Sequence, residues 1–169
     1  SQKLYRGISE DGDVERGVGE EKLVLALSIG TLPDGFELIK DYRQNRTFVV
    51  KRNDVSEVIE EKTYEGIRDD NSTEGLKPLS LLTNKFESGI KIETVEDLVN
   101  GVTQITRYEG AGGKIGSELI TADGTRRMYD AQDRLLAHRN PDRSGINYDA
   151  ETGLSLEFVD ANGNVFKLE

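Results

Sequence analysis

Cysteine and tryptophan are absent from the 169 residues, and histidine occurs once. Without Cys there is no disulfide scaffold and no thiolate metal site, and the redox compartment stays undetermined. With His138 as the single imidazole, a metal site built on two histidine ligands is excluded, and Ser-His-Asp catalysis would rest on that residue alone. Its neighbours Leu135, Leu136, Arg139 and Asn140 read as a strand running into a turn, which makes it a structural or surface histidine. Long apolar runs are also missing. The run Leu23 to Ile29 is too short to cross a membrane as a helix and follows acidic flanks. Lack of Trp removes the usual sugar-stacking platform from a carboxylate-dependent hydrolase, and with 32 acidic side chains chance carboxylate pairs are unavoidable.

Basic side chains are outnumbered 22 to 32, for a formal charge of -10. This argues against binding to nucleic acid or to an anionic membrane, both of which need clustered Lys and Arg. Residues 103–169 hold 8 basic and 11 acidic groups, so most of the acidic excess precedes them. Acid runs such as Glu20-Glu21 and Glu60-Glu61 read as solvated faces.

What is abundant is glycine, 18 residues against three prolines, which predicts many tight turns and short strands. The length suits one domain. Residues 1–21 mix glycine with charge and read as an extended or partly disordered lead-in; residues 22–169 read as one β-rich domain, less regular over 22–102. Leu23 to Ile29 suits a strand buried on both faces. Leu32-Pro33-Asp34-Gly35 supplies a hairpin turn into Phe36–Tyr42, and Arg43-Gln44-Asn45 a second turn into Thr47–Arg52. Asn53-Asp54 either turns a further hairpin into Val55–Thr63, the preferred reading, or caps a short helix. Arg68 to Gly75 is a polar loop marking a boundary between sub-regions, and Pro78 makes the segment after it an edge strand or an irregular one. Alternation of Ile90 and Ile92 marks a strand within Phe86–Ile92. Thr94 to Gly101 is the best helix candidate, with Thr94 as cap, Asp97 at the capping-box spacing and Gly101 as stop.

From Val102 the pattern becomes periodic. Tyr108-Glu109-Gly110, Tyr129-Asp130-Ala131 and Tyr148-Asp149-Ala150 recur at about 20 residues, a spacing typical of repeat architectures. Between them lie turn clusters at Ala122-Asp123-Gly124, Asn140-Pro141-Asp142 and Asp160-Ala161-Asn162-Gly163. Asp123-Gly124 and Asn162-Gly163 are strong hairpin signals because both residue types tolerate positive φ. Tyr108, Tyr129, Tyr148 and Phe166 would place half-buried rings at equivalent points of successive hairpins, with the adjacent acids facing water or accepting backbone N–H bonds. The predicted fold is therefore mainly β: antiparallel hairpin repeats over 103–169 forming a sheet, a sandwich or a partial barrel, with one or two short helices.

The segment from Met128 to Ala150 resembles the Rhs/YD-repeat family of bacterial proteins: Tyr129-Asp130, Arg134-Leu135, Pro141-Asp142 and Tyr148-Asp149 match its recurring unit, and Asp123 and Asp142 each precede a tyrosine by six residues. The match spans about Tyr108 to Glu169. Asp133 replaces the family's glycine, and Arg143-Ser144 separates Asp142 from Gly145. In that family, arrays of such units build a β-sheet shell, sometimes around a toxin. The resemblance implies a non-enzymatic structural or protein-interaction module, secreted or on the cell surface of a bacterium, with a cytoplasmic location as the alternative.

Other motifs have plainer readings. Gly110 to Ser117 fails as a phosphate loop because Ile115 stands where Ser or Thr should follow Gly-Lys, leaving a hairpin turn. Asp160, Asn162 and Asn164 lack the order of a calcium loop. No catalytic, cofactor or metal residues are assigned, and no cofactor is expected. The partner expected is another protein. Two competing readings stand beside the interaction module: an acidic immunity or inhibitor protein that binds a cationic toxin, and a carboxylate-dependent hydrolase.

Overall fold

A computed structural model describes residues 3–6, 25–110 and 112–169. Every regular element in them is a β-strand, and ladders such as β1–β2, β7–β8 and β10–β11 are antiparallel and join neighbours in sequence. The chain divides into two compact units, Ser1–Ser80 and Leu81–Glu169. The first holds β1 (Lys3–Arg6), β2 (Leu25–Thr31), β3 (Glu37–Asp41), β4 (Arg46–Arg52) and β5 (Val58–Glu65). Strand β6 (Lys77–Glu87) carries the chain from the first unit into the second. The second unit continues with β7 (Ile90–Asp97), β8 (Val102–Glu109), β9 (Lys114–Ile120) and β10 (Arg126–Asp130). It ends with β11 (Leu135–Arg139), β12 (Gly145–Tyr148), β13 (Ser155–Val159) and β14 (Val165–Lys167).

Mainly antiparallel β structure is what the glycine and turn content predict, but the short helices are corrected: none occurs among the described residues. Thr94 to Asp97 lies in β7, where Thr94 pairs with Ile105, and Asp97 to Gly101 is a turn. The Asp97 carboxylate accepts the N–H groups of Val99 and Asn100 at 2.9 and 3.0 Å, and Gly101 has φ 70°. The residues that would cap and stop a helix serve a tight turn with the same chemistry. Ser88-Gly89 turns a hairpin within Phe86–Ile92, and the alternating Ile90 and Ile92 open β7 beyond it. Pro78 is the second residue of β6. Most of the expected lead-in, residues 1–21, lies outside the described residues, as do Leu23 and Val24 of the first predicted strand.

Two turn designs recur. In seven five-residue turns the first N–H donates to the fifth carbonyl and the fourth N–H to the first carbonyl; they begin at Leu32, Asn53, Glu109, Thr121, Asp130, Asn140 and Asp160. The fourth residue has positive φ in each, and it is glycine in four of them; Ser56, Asp133 and Arg143 hold that conformation without glycine's freedom. In three six-residue turns, opened by Asp41, Asp97 and Asp149, the carboxylate accepts the N–H groups of the third and fourth residues. Polar turn side chains thus satisfy backbone donors that the ladder leaves over.

The first unit buries one face under its own loop, and Val50, 2% exposed, lies on the other. The register aligns Ser28, Lys40, Thr47 and Tyr64 in one row across β2 to β5. Ser28, Lys40 and Thr47 are buried, as is Leu38 on the same face. Loop 66–75 is tied to this row. Thr47 Oγ1 donates to the Gly66 carbonyl at 2.7 Å, and Lys40 Nζ donates to the carbonyls of Arg68 and Asp70 at 2.7 and 2.9 Å. Arg68 grips the Asp70 carboxylate with two N–H bonds and donates to the Glu74 carbonyl. Those bonds and one from Ser72 hold the Asp70 carboxyl well below the usual carboxylate range. The β2 strand is accordingly covered on the Ser28 face, while Leu27 and Ile29 on the other are only half-buried, rather than buried on both as the apolar run predicts.

Candidate functional site

The tyrosine-acid pairs sit where strands end. Tyr108, Tyr129 and Tyr148 are half-buried at the ends of β8, β10 and β12, and the acids after them, Glu109, Asp130 and Asp149, open the next turn. Asp130 accepts the N–H groups of Gln132 and Arg134, both at 2.9 Å, and these bonds, with Arg134's first in weight, depress its pKa. Asp149 is depressed by its bonds to Thr152 and Glu151. At the opposite strand ends Asp123 and Asp142 occupy the third position of their turns and accept the N–H groups of Thr125 and Ser144 at 2.9 Å. The Thr121 hydroxyl and the Thr125 N–H push the Asp123 pKa down to about 2. The Ser144 hydroxyl does the same in direction for Asp142. Gly124 faces Pro141, which brings these two turns side by side. Asp160 accepts from the N–H groups of Asn162 and Asn164 and from the Asn164 amide, with Gly163 at φ 87°. These carboxylates are turn acceptors with their lone pairs already directed at the backbone. No group of three or more His, Cys, Asp or Glu that could hold a metal occurs among the described residues.

Side chains outside the tyrosine-acid pattern distinguish the two faces of the second unit. On one face, β13, β14 and the residue after β14 present Leu156, Phe158, Phe166 and Leu168, which are 40 to 51% exposed. Phe158 pairs with Phe166 in register, their ring centres 6.2 Å apart, and Phe158 in turn faces Ile146 of β12. Phe166, expected half-buried like the tyrosines, is thus among the exposed residues, because β14 is the last strand of the sheet and is flanked on one side only, by β13. The His138 ring is on this face, opposite Ile146, with Nε2 3.2 Å from Asn140 Oδ1.

The other face sets polar side chains beside the unit's buried apolar residues, Ala137 and Val159. Arg126 of β10 stands directly opposite Arg139 of β11, and Met128 pairs with Ala137 on one side and Glu118 on the other. Arg126 forms an ion pair with Glu118 at 3.0 Å. Arg139 donates to the carbonyls of His138 and Ile146 and to Asn147 Oδ1 at 2.6 Å, and Asn147 donates on to Glu157. Arg143 of the turn at 140–144 joins Glu118, Arg126, Met128 and Arg139 in lining a cleft of about 700 Å³. Sequence reading passed over these residues because the arginines lie 13 and 17 positions apart. The legible signal was the turn at 130–134, whose hairpin register places Arg126 against Arg139.

No protein-family model matches the chain, and no curated protein matches it.

Proposed function

We propose that this chain is a non-enzymatic structural or protein-interaction module, of the kind the Rhs/YD-repeat resemblance implies, working on the surface of a bacterium or in its secreted material. The single observation that carries this reading is the apolar patch of Leu156, Phe158, Phe166 and Leu168 on one sheet face. Exposed apolar patches of this kind mark contact surfaces. The proposal includes what covers the patch: the apolar side of another β layer, as a sandwich or partial barrel would supply, joined by side-chain packing. Turn carboxylates committed to backbone N–H groups fit a scaffold better than a general acid or base.

Photocrosslinking in the native cell tests this, with a crosslinking amino acid at Phe166 and, as control, at the exposed Val55 of the first unit. A discrete crosslinked protein from position 166 alone supports the reading; identical patterns from both positions, or none from 166, oppose it. Turnover of any glycan or ester in a broad panel would sink the non-enzymatic assignment.

A further inference from the structure

Two Asn-Gly pairs stand in turns of the second unit, Asn100-Gly101 between β7 and β8 and Asn162-Gly163 between β13 and β14. Asparagine before glycine is the pairing in which a backbone nitrogen most readily attacks the side-chain amide, because glycine puts no Cβ beside the attacking atom. Both pairs are exposed. In both, the glycine N–H donates to the carbonyl of the aspartate that opens the turn, at 2.8 Å for Gly101 to Asp97 and 3.0 Å for Gly163 to Asp160. The nucleophile is therefore held alike in the two turns, and the side chains make the difference.

The Asn100 amide is tied. Its Nδ2 donates to Asp97 Oδ2 at 2.7 Å, a charge-assisted bond that fixes the carboxamide and makes its carbon a poorer electrophile. A ring closing there is also crowded by Ala122, whose Cβ lies 3.1 Å from where a Cβ on Gly101 would stand. In the turn at 160–164 the corresponding oxygen, Asp160 Oδ2, accepts from the Asn164 amide instead, at 2.9 Å. The Asn162 carboxamide makes no hydrogen bond with a described residue, and nothing lies within 4 Å of the Cβ position of Gly163.

We infer that Asn162 is a self-modification site whose product unpairs β14 from β13. The Gly163 nitrogen attacks Asn162 Cγ; an N–C bond forms, the Cγ–Nδ2 bond breaks, and ammonia leaves with the proton that the nitrogen gave up. Water then opens the succinimide ring at either carbonyl, giving aspartate or isoaspartate, and no other reactant is needed. The isoaspartyl product routes the chain through the former side chain and lengthens the turn backbone by one methylene. That turn is closed by two bonds between Asp160 and Asn164 or Gly163, each 3.0 Å, and the added length breaks their register. Strand β14 has three residues and only β13 beside it, so it is released. Phe166 and Leu168 leave the apolar patch with it. This last consequence for binding rests on the contact role proposed above for the patch, whereas the modification does not.

Ageing of the freshly purified intact chain at pH 6 and at pH 8.5, followed by peptide mapping with mass spectrometry and enzymatic methylation of isoaspartate, tests this. Conversion at Asn162 should be at least about tenfold faster than at Asn100, the margin that the Asn100–Asp97 bond supplies. Both rates should rise at pH 8.5, because the attacking nitrogen must lose its proton. Asp97→Ser keeps an acceptor for the turn N–H groups but frees the Asn100 amide, and should bring Asn100 toward the rate of Asn162. In the isoaspartyl protein the β13–β14 amides should lose hydrogen-exchange protection, whereas Asn162→Asp, with a backbone of normal length, keeps it. No conversion at Asn162, or conversion at Asn100 as fast as at Asn162 in the parent chain, would overturn the site. Full β14 protection in the isoaspartyl form would overturn the release. A crosslink from position 166 missing even in fresh protein counts against the contact role alone.

Discussion

The two units solve the same problem differently. A single antiparallel layer has two faces, and at least one must be covered if the sheet is to be stable alone. The first unit covers one face with loop 66–75, anchored by the buried Lys40 ammonium and the Thr47 hydroxyl. The second is built from hairpins whose turns are too short to fold back, and it leaves Phe158 and Phe166 in solvent. Covering a face needs a long connection, whereas repeating hairpins economise on connections and leave a face available for something else.

The comparison breaks most sharply at Gly145. A Cβ there would meet the His138 carbonyl oxygen at 1.8 Å, so Gly145→Ala must force β11 and β12 apart. A loss of about 3 kcal/mol or more in urea unfolding is expected, with the second unit's amides losing hydrogen-exchange protection first. Next come matched truncations of apolar residues. Leu38→Ala, at a site 2% exposed in the first unit, should cost about 2 to 4 kcal/mol. Phe158→Ala, 40% exposed, should cost about 1 kcal/mol or less despite the larger side chain. Equal costs would mean that the patch is already covered by its own chain.

Lys40→Met keeps the aliphatic stem but strips two carbonyls of their donor. About 1 to 3 kcal/mol should be lost, and loop 66–75 should exchange faster than β3 and β4. Acid distinguishes the units least dramatically. Asp97, Asp123, Asp130, Asp142, Asp149 and Asp160 of the second unit all have depressed pKa values, against Asp70 in the first. A depressed carboxyl stabilises fully above its unfolded value near 3.9, and that contribution fades as pH falls through the folded value, about 2 for Asp123. Melting at pH 5 and at pH 2.5 should show the second unit losing more of its thermal stability than the first.

Strand after strand was legible because each turn declares itself locally. Leu32-Pro33-Asp34-Gly35, Asn53-Asp54 and Ala122-Asp123-Gly124 all lie in turns where the sequence puts them, since a turn depends on the φ tolerance and hydrogen bonding of adjacent residues. The helix expected at Thr94 failed for the same reason: Asp97 and Gly101 carry a local signal that helix ends and tight turns share, and pairing of β7 with β8 decided between them. Asp133 and Arg143, which break the glycine pattern, still adopt positive φ, so the turn survives a residue that does not advertise it. The candidate site was hardest to read. Its arginines and its apolar patch become neighbours only when hairpin register is known.

Composition and local turn chemistry therefore determined by themselves that this chain is antiparallel β and where most of its strands reverse. Tertiary structure alone decided that Lys40 would be buried beneath residues 28 to 30 positions further on, that Arg126 would face Arg139, and that Phe158 and Phe166 would share one open face. The physical reason is range. A turn is settled among four to six consecutive residues, whereas burial, like-charge opposition and an exposed face are properties of strands brought together across many.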